Sequence, residues 1–435
     1  MASNITGPST PFEWLSGGLF FGKKNEKPSE TDTNTCKDVQ LILNEVSECV
    51  IKLYPEHTPA AAPQGLTCTE ETRSEREVTE KLLSSRLRRL RFLLYDERRR
   101  TSQLESSLRS RMPSVASKMT DTLTGSGSSS MGSLPRLMPT LLHNLFQLPF
   151  ETRKGVSDIF SYLLLCGLDG VDAESYQDCM ANFRDYVENG FDEIIARLVR
   201  NHDCSCATLD LDVVIHSGTM FRSCIKHLSL YKKLVSTREN VERFVFPFLD
   251  NYVHSPNFDC ASDAMESLKL IVTGGVESSA EGELDQEIQF QRSQEVARFL
   301  ERDYEVIWDQ RFNSKLLSSA ESNYLIRRMA LQILSTVLLT RANYKTMVRY
   351  IDSKKNLILV MLLLRDKSPH ITLDAFHVFK IFVANPNKPP EIIKILSDNK
   401  IKLCTYLEGL HKDKEAKEAQ FRDEKALVIS TIEAL

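Results

Sequence analysis

The clearest hydrophobic pattern of the chain lies in residues 356–388, NLILVMLLLRDKSPHITLDAFHVFKIFVANPNK. Residues 356–364 are apolar on every side of a helix, which favours a helix packed between neighbours. The charged segment 365–369 interrupts this run. From Ile371 apolar residues recur at helical spacing until Asn385-Pro386-Asn387 ends the pattern. The segment therefore predicts two helices joined by a short turn, which is the repeating unit of an α-solenoid.

A weak internal repeat supports this fold class. One pattern, a small residue followed by large apolar, polar, variable and large apolar residues, begins at Ala264, Ala330 and Ala375. Ala330 and Ala375 are 45 residues apart, and armadillo and HEAT repeats have periods of about 40–47 residues. We predict an all-α, right-handed α-solenoid of armadillo/HEAT-like helical repeats.

Glycine, proline and serine mark the expected domain organisation. Residues 1–35 are predicted to form a mobile N-terminal arm, and residues 36–435 a helical-repeat domain. Within that domain, helices are expected from Cys36 to Leu53 and from Glu77 to Met112. Flexible insertions are expected near residues 55–72, 120–135 and 274–289.

Composition narrows the expected location and partners. Apolar residues make up 42% of the chain, charged residues 26%, and the net charge of −4 gives no reason to expect nucleic acid. No apolar stretch approaches the roughly 20 residues that span a bilayer, so no membrane insertion is expected. Ten cysteines without an N-terminal hydrophobic signal segment indicate a reducing compartment, and we expect a cytoplasmic protein.

Motifs for catalysis or cofactor binding are incomplete. Gly17 to Lys24 resembles a phosphate-binding loop but has lysine where a magnesium-binding hydroxyl is needed. His202, Cys204 and Cys206 lack the second pair of a zinc site. The basic run 86–100 has the charge to contact RNA or acidic lipid, but acidic residues dilute it, which favours a solvated helix face. We expect no enzyme, no cofactor and no metal site.

The candidate functional residues lie on one predicted helix. Tyr324, Arg328, Gln332 and Ser335 are spaced by four, four and three residues, which places them on one side. The remaining sides are apolar and suited to packing. An aromatic residue beside an arginine is typical of the residues that dominate protein–protein binding energy. This spacing predicts a protein-binding stripe.

Several blocks of the sequence resemble the mouse protein 25 family, also called the calcium-binding protein 39 family. The long and nearly unbroken blocks are residues 363–368, 375–380 and 382–388. Looser similarity extends to residues 255–264, 323–350 and 420–425. The resemblance covers roughly residues 140–430 and fades toward the N-terminus. Despite the family's name, Asp210-Leu211-Asp212 lacks the glycine of a calcium-binding EF-hand loop, so no calcium site is expected.

The resemblance implies a non-catalytic scaffold. Family members are curved helical-repeat proteins that bind the pseudokinase STRAD, through it support liver kinase B, and bind sterile-twenty-type kinases directly. The implied mechanism is that the concave face holds the kinase regulatory helix in its active position. Positions matching the family's contacts are Phe258, Tyr324 and Arg328, with Arg341 and Tyr344 as a further kinase-facing pair in which Tyr replaces the usual Phe.

A second family site accepts the pseudokinase's C-terminal Trp-Glu-Phe tail. The resemblance places Arg328 near that pocket, where it pairs with the Glu carboxylate, and Met361 in its lining. Gln332 and Asp398 stand where family lysines are expected, which predicts a less basic surface and weaker tail binding. We predict a kinase-activating scaffold. The alternative is a cytoskeletal or cell-morphogenesis adaptor that does not activate a kinase.

Overall fold

A computed structural model describes residues 32–54, 70–101, 115–124, 137–165, 173–203, 210–275, 283–318 and 322–435. These residues are predominantly helical, and no strand occurs among them. The predicted all-α class is therefore confirmed. The chain divides into two compact units, unit 1 with residues 1–230 and 276–286, and unit 2 with residues 231–275 and 287–435.

Unit 1 is built around packed helices of very different lengths. Its α-helices are α1 (Asp32–Leu53), α2 (Glu70–Thr101), α3 (Val115–Thr124), α4 (Leu137–His143), α5 (Phe150–Leu165), α6 (Ala173–Asn189), α7 (Phe191–Arg200) and α8 (Leu211–Ile225). The long helix α2 packs on α1 and α5, and α5 packs on α8.

The basic run of the sequence lies on α2 and is partly neutralised within unit 1. Arg86 pairs with Glu45 of α1 at 2.7 Å, and Arg91 pairs with Asp158 of α5 at 2.9 Å. Leu83, Leu87 and Leu90 of the same helix are buried. The arrangement agrees with a packed helix whose arginines contact neighbouring helices.

Unit 2 continues the helical pattern to the end of the chain. It begins within α9 (Leu228–Ser236) and includes α10 (Arg238–Phe244), α11 (Phe246–Asp250), α12 (Phe258–Thr273), α13 (Glu283–Arg302) from residue 287, and α14 (Tyr324–Leu339). The later helices are α15 (Tyr344–Ile351), α16 (Lys354–Leu363), α17 (Pro369–Ala384), α18 (Pro390–Asp398), α19 (Lys400–Gly409), α20 (Lys412–Lys417) and α21 (Ala419–Glu433). A π-helix, Glu305–Leu317, lies between α13 and α14.

The helices of unit 2 form two stacked layers. In one layer α12 packs on α14, α14 on α17, and α17 on α21. The helices of the second layer pack on these: the π-helix on α14, α16 on α17, and α19 on α21. Each helix of the first layer from α14 onward thus has a partner from the second, which is the helix-pair repeat that residues 356–388 predict. The first anchors of the sequence repeat, Ala264, Ala330 and Ala375, are all buried.

Two side-chain contacts between successive repeats have similar sequence separations. Lys380 Nζ donates to Glu424 Oε2 at 2.7 Å, 44 residues further along the chain. Asn313 Nδ2 donates to Asn356 Oδ1 at 3.0 Å, a separation of 43 residues. Both separations are close to the 45 residues between Ala330 and Ala375.

A buried lysine of the last helix of unit 2 makes hydrogen bonds to the segments that precede this helix. Lys425 of α21 is 2% exposed. Its Nζ donates to the carbonyl of Glu408 at 3.1 Å, to the carbonyl of Leu410 at 2.9 Å, and to Glu415 Oε2 at 2.6 Å. The three acceptors lie at the end of α19, just after it, and in α20. The hydrogen bonds of one ammonium group therefore connect three consecutive segments to α21.

The described helices extend into the edges of the segments expected to be flexible. Helix α1 begins at Asp32, α2 at Glu70 and α13 at Glu283, and α3 includes residues 120–124. Most of residues 1–35, 55–72 and 120–135, part of 274–289, and residues 102–112 lie outside the described residues.

Candidate protein-binding site

The predicted stripe lies on α14, a helix with a well-defined start. Asn323 is the N-cap, and its side chain accepts a hydrogen bond from the backbone N–H of Ile326 at 3.0 Å. The opposite sides of the helix are buried through Ala330, Leu331 and Leu334, among others. These contacts fix which side of α14 faces solvent.

The solvent side of α14 carries the predicted residues. We call Tyr324, Arg328, Gln332 and Ser335 the α14 stripe. Tyr324 is 45% exposed, Gln332 is exposed, and Arg328 and Ser335 are half-buried. Leu339 continues the stripe and is 63% exposed. Sequence reasoning missed Leu339 because an apolar residue in an apolar helix is expected in the core.

Three stripe residues and one aspartate form a connected cluster. Arg328 Nη1 donates to the Tyr324 hydroxyl at 3.3 Å. Arg328 Nε lies 3.5 Å from Asp374 Oδ2, and Gln332 Nε2 donates to the same oxygen at 3.3 Å. Asp374 belongs to α17, so the cluster bridges two packed helices. Sequence reasoning missed Asp374, although it lies 42 residues after Gln332, close to one repeat length.

Burial dominates the electrostatics of this cluster. It raises the pKa of Asp374, and the opposing effects of Arg328 and the Gln332 amide do not cancel it. Burial likewise lowers the pKa of His377, one helical turn further along α17. A guanidinium has five N–H donors. The contacts to Tyr324 and Asp374 therefore leave Arg328 able to bind a further acceptor from the solvent side.

The remaining predicted contact residues lie on other elements of unit 2. Phe258 is the first residue of α12, which packs on α14, and it is 65% exposed. Its helix begins there because the Asn257 side chain accepts from the backbone N–H of Asp259 and of Cys260, at 2.9 and 3.1 Å. Arg341 lies in a short 3-10 helix after α14 and is exposed. Tyr344 begins α15 and is 64% exposed.

The sequence predicts that the helix of residues 356–364 is buried on every side, but α16 has an exposed side. Met361 is half-buried, but Ile358 is 46% exposed and Leu362 is 62% exposed. Ile358 lies three residues before Met361 and four before Leu362, so the three side chains form one apolar patch on the helix surface. Asp398, at the end of α18, is exposed and pairs with Lys394 at 3.2 Å.

Other motifs of the sequence have structural roles or are not described. His202 is buried and its Nδ1 lies 2.9 Å from the carbonyl oxygen of Leu198. Asp210 is the N-cap of α8. Cys204, Cys206 and residues 17–24 lie outside the described residues. Among the residues that the structure does describe, no group of three or more His, Cys, Asp and Glu is placed to hold a metal ion.

Several described helices are long, and α2 has 32 residues. Within the described ranges, no helix combines the length and the apolar character that a bilayer crossing requires.

The sequence profile of the Mo25-like family matches residues 20–435. The chain belongs to the Mo25-like family. The match includes every described element of both units, from α1 to α21, and it confirms the resemblance noted from the sequence. Membership in the Mo25-like family supports a scaffold role.

Relatives of this Mo25-like chain come from algae, animals and fungi. The degreening-related gene dee76 protein of Auxenochlorella protothecoides is 35% identical over 296 residues, covering 68% of this chain and 78% of the relative. Human calcium-binding protein 39-like is 32% identical over 299 residues, covering 69% and 76%. The conidiophore development protein hymA of Emericella nidulans is 28% identical over 367 residues, covering 75% and 87%.

Proposed function

We propose that this chain is a non-catalytic cytoplasmic scaffold that binds protein kinases and stabilises their active conformation. Its partners are a STRAD-like pseudokinase, with a liver-kinase-B-like kinase, or sterile-twenty-type kinases. The observation that carries the proposal is the surface of α12 and α14, where Phe258 and Tyr324 are exposed and Arg328 is half-buried. Tyr324 and Phe258 lie on helices that pack directly on each other.

Rigid support makes this surface suited to binding. Each of the two helices begins at a capped N-terminus and buries its other sides, so the exposed rings are presented on fixed backbone. Aromatic and arginine side chains on such a support lose little freedom on binding and dominate interface energies. Arg341 and Tyr344 extend the exposed surface beyond the end of α14.

The apolar patch on α16 supports a second contact, to a partner tail ending in Trp-Glu-Phe. Ile358 and Leu362 are exposed beside Met361, whose flexible thioether suits aromatic rings. In this proposal the aromatic residues of the tail bind that patch and its Glu pairs with Arg328. Gln332 and Asp398 supply no positive charge, so we expect the tail to bind weakly.

Binding and activation of a sterile-twenty-type kinase from the same organism test the proposal. Phe258→Ala, Tyr324→Ala and Arg328→Ala are each expected to weaken binding by about 2 kcal/mol, roughly thirtyfold. Phe290→Ala is the matched control, because Phe290 is 59% exposed on α13 and lies outside the proposed surface. If the three variants bind and activate the kinase as the parent does, the proposal is wrong.

A second candidate is a morphogenesis adaptor that uses the same surface without activating a kinase. The name of hymA, a conidiophore development protein, favours it. The activity assay separates the two functions. Kinase binding that depends on Tyr324 but leaves the kinase activity unchanged would support the adaptor.

A further inference from the structure

The arginine of the α14 stripe already faces a carboxylate of its own chain. Asp374 Oδ2 lies 3.5 Å from Arg328 Nε and accepts from Gln332 Nε2 at 3.3 Å. The Asp374 side chain is 16% exposed, whereas that of Arg328 is 39% exposed. The carboxylate thus approaches the guanidinium from the protein side, and the solvent side of Arg328 is presented to a partner.

A second charged contact of α17 with a neighbouring helix is shorter than the one between Arg328 and Asp374. Lys380 pairs with Glu424 of α21 at 2.7 Å, a short charged hydrogen bond. Charged hydrogen bonds between nitrogen and oxygen are commonly about 2.7–2.9 Å long. The distance of 3.5 Å from Arg328 Nε to Asp374 Oδ2 is longer than this, so Arg328 and Asp374 form a looser pair than Lys380 and Glu424.

We propose that Asp374 is a specificity-determining residue of the α14 stripe, because its carboxylate competes with a partner's carboxylate for Arg328. The inference rests on the proposed function, in which a partner's acidic side chain binds Arg328. With Asp374 ionised, the pair has no net charge, and an incoming carboxylate meets both an attractive guanidinium and a repulsive neighbour. Asp374 therefore weakens the binding of partners that present a carboxylate to Arg328, and it favours partners that present a neutral hydrogen-bond acceptor.

Several observations support the competition. The contacts of Asp374 are long, its burial raises its pKa, and the ionised carboxylate is therefore incompletely compensated within the chain. A partner carboxylate reaching the exposed side of Arg328 can make two parallel hydrogen bonds, which is a stronger geometry than the existing contact through Nε. Asp374→Asn keeps an oxygen that accepts from Gln332 and removes the charge.

The test uses two fluorescent peptides, one ending in Trp-Glu-Phe and one in Trp-Gln-Phe, with binding measured by anisotropy. Asp374→Asn is expected to tighten binding of the Glu peptide about threefold to fivefold, the effect of one partly exposed ion pair. Binding of the Gln peptide should not change. Glu424→Gln is the matched control, since it removes one negative charge from the neighbouring inter-helix contact and should leave both affinities as they are.

A double-variant comparison shows whether the gain acts through Arg328. In an Arg328→Ala background, Asp374→Asn should give no tightening. The inference is wrong if the parent and Asp374→Asn bind the Glu peptide equally, or if Asp374→Asn binds both peptides more tightly by the same factor. Either outcome leaves the proposed tail site unaffected. If the Glu peptide binds neither protein, the inference and the tail site both fail, while kinase binding by Phe258 and Tyr324 is tested separately.

Discussion

Replacing the buried lysine of α21 tests how the end of unit 2 is held together. Lys425→Met keeps a long unbranched side chain that fills the same space but removes the ammonium group. The carbonyls of Glu408 and Leu410 and the carboxylate of Glu415 then lose a charged donor. We expect α21 and the segments before it to become less stable together.

The structure sets the size of this effect. A hydrogen bond from a charged donor contributes about 1.5–3 kcal/mol. The Glu415 side chain is 32% exposed, so water can solvate its carboxylate when the ammonium group is removed. We therefore expect the lost contact to Glu415 to contribute little to the decrease in the free energy of unfolding. Two carbonyls at about 1.5 kcal/mol each give about 3 kcal/mol. For a cooperative unit of this size, that corresponds to a melting temperature about 6–12 °C lower.

Scanning calorimetry and hydrogen exchange measure the change. Amides of α21 should lose protection more than those of α12, which lies far away in the sequence. Lys354→Met is the control, because Lys354 and Glu391 form an exposed pair at 2.7 Å, and exposed pairs contribute at most about 1 kcal/mol. If the two variants melt at the same temperature, the buried ammonium does not stabilise α21 and the reasoning fails.

Three further predictions concern the site and its supports. Arg328→Ala should lower the free energy of unfolding by about 1 kcal/mol in thermal melts, because it leaves the Asp374 carboxylate without its cation. Adding Asp374→Asn should restore that stability. The raised pKa of Asp374 means that its ionised form lowers the stability of the folded state. Asn323→Ala should cost about 1 kcal/mol in denaturant unfolding through loss of the α14 cap, and Asn323→Ser much less. Leu362→Ser should weaken binding of the Trp-Glu-Phe peptide at least about fivefold without changing the melting temperature, because the side chain is 62% exposed.

The local signals of the sequence were sufficient to predict the helix pair α16 and α17. The predicted helices were residues 356–364 and a run beginning at 371, and the observed ones are Lys354–Leu363 and Pro369–Ala384. The exposure of Ile358 and Leu362 was not predictable in the same way. Hydrophobicity shows that a side chain can be buried, but whether a neighbouring helix covers it depends on the tertiary arrangement.

The arrangement of the candidate residues was predictable along one helix and not across helices. A spacing of three and four residues placed Tyr324, Arg328 and Gln332 on one side, because that spacing is a property of a single helix. Asp374 joins them from α17 through packing. A sequence signal for it existed in the repeat length, since Asp374 follows Gln332 by 42 residues. Without the structure, the exact register between α14 and α17 could not be chosen.

The short sequence separation of these contacts between repeats has a consequence for how unit 2 folds. Side chains of neighbouring repeats meet about one repeat length apart, as Asn313 meets Asn356 after 43 residues and Lys380 meets Glu424 after 44. Such contacts need only one neighbouring repeat to be in place, so no early step has to close a loop across the whole unit. Folding can begin at one helix pair, with 354–384 as the most apolar candidate, and grow outward in both directions. Truncation from the C-terminus should then remove stability one repeat at a time.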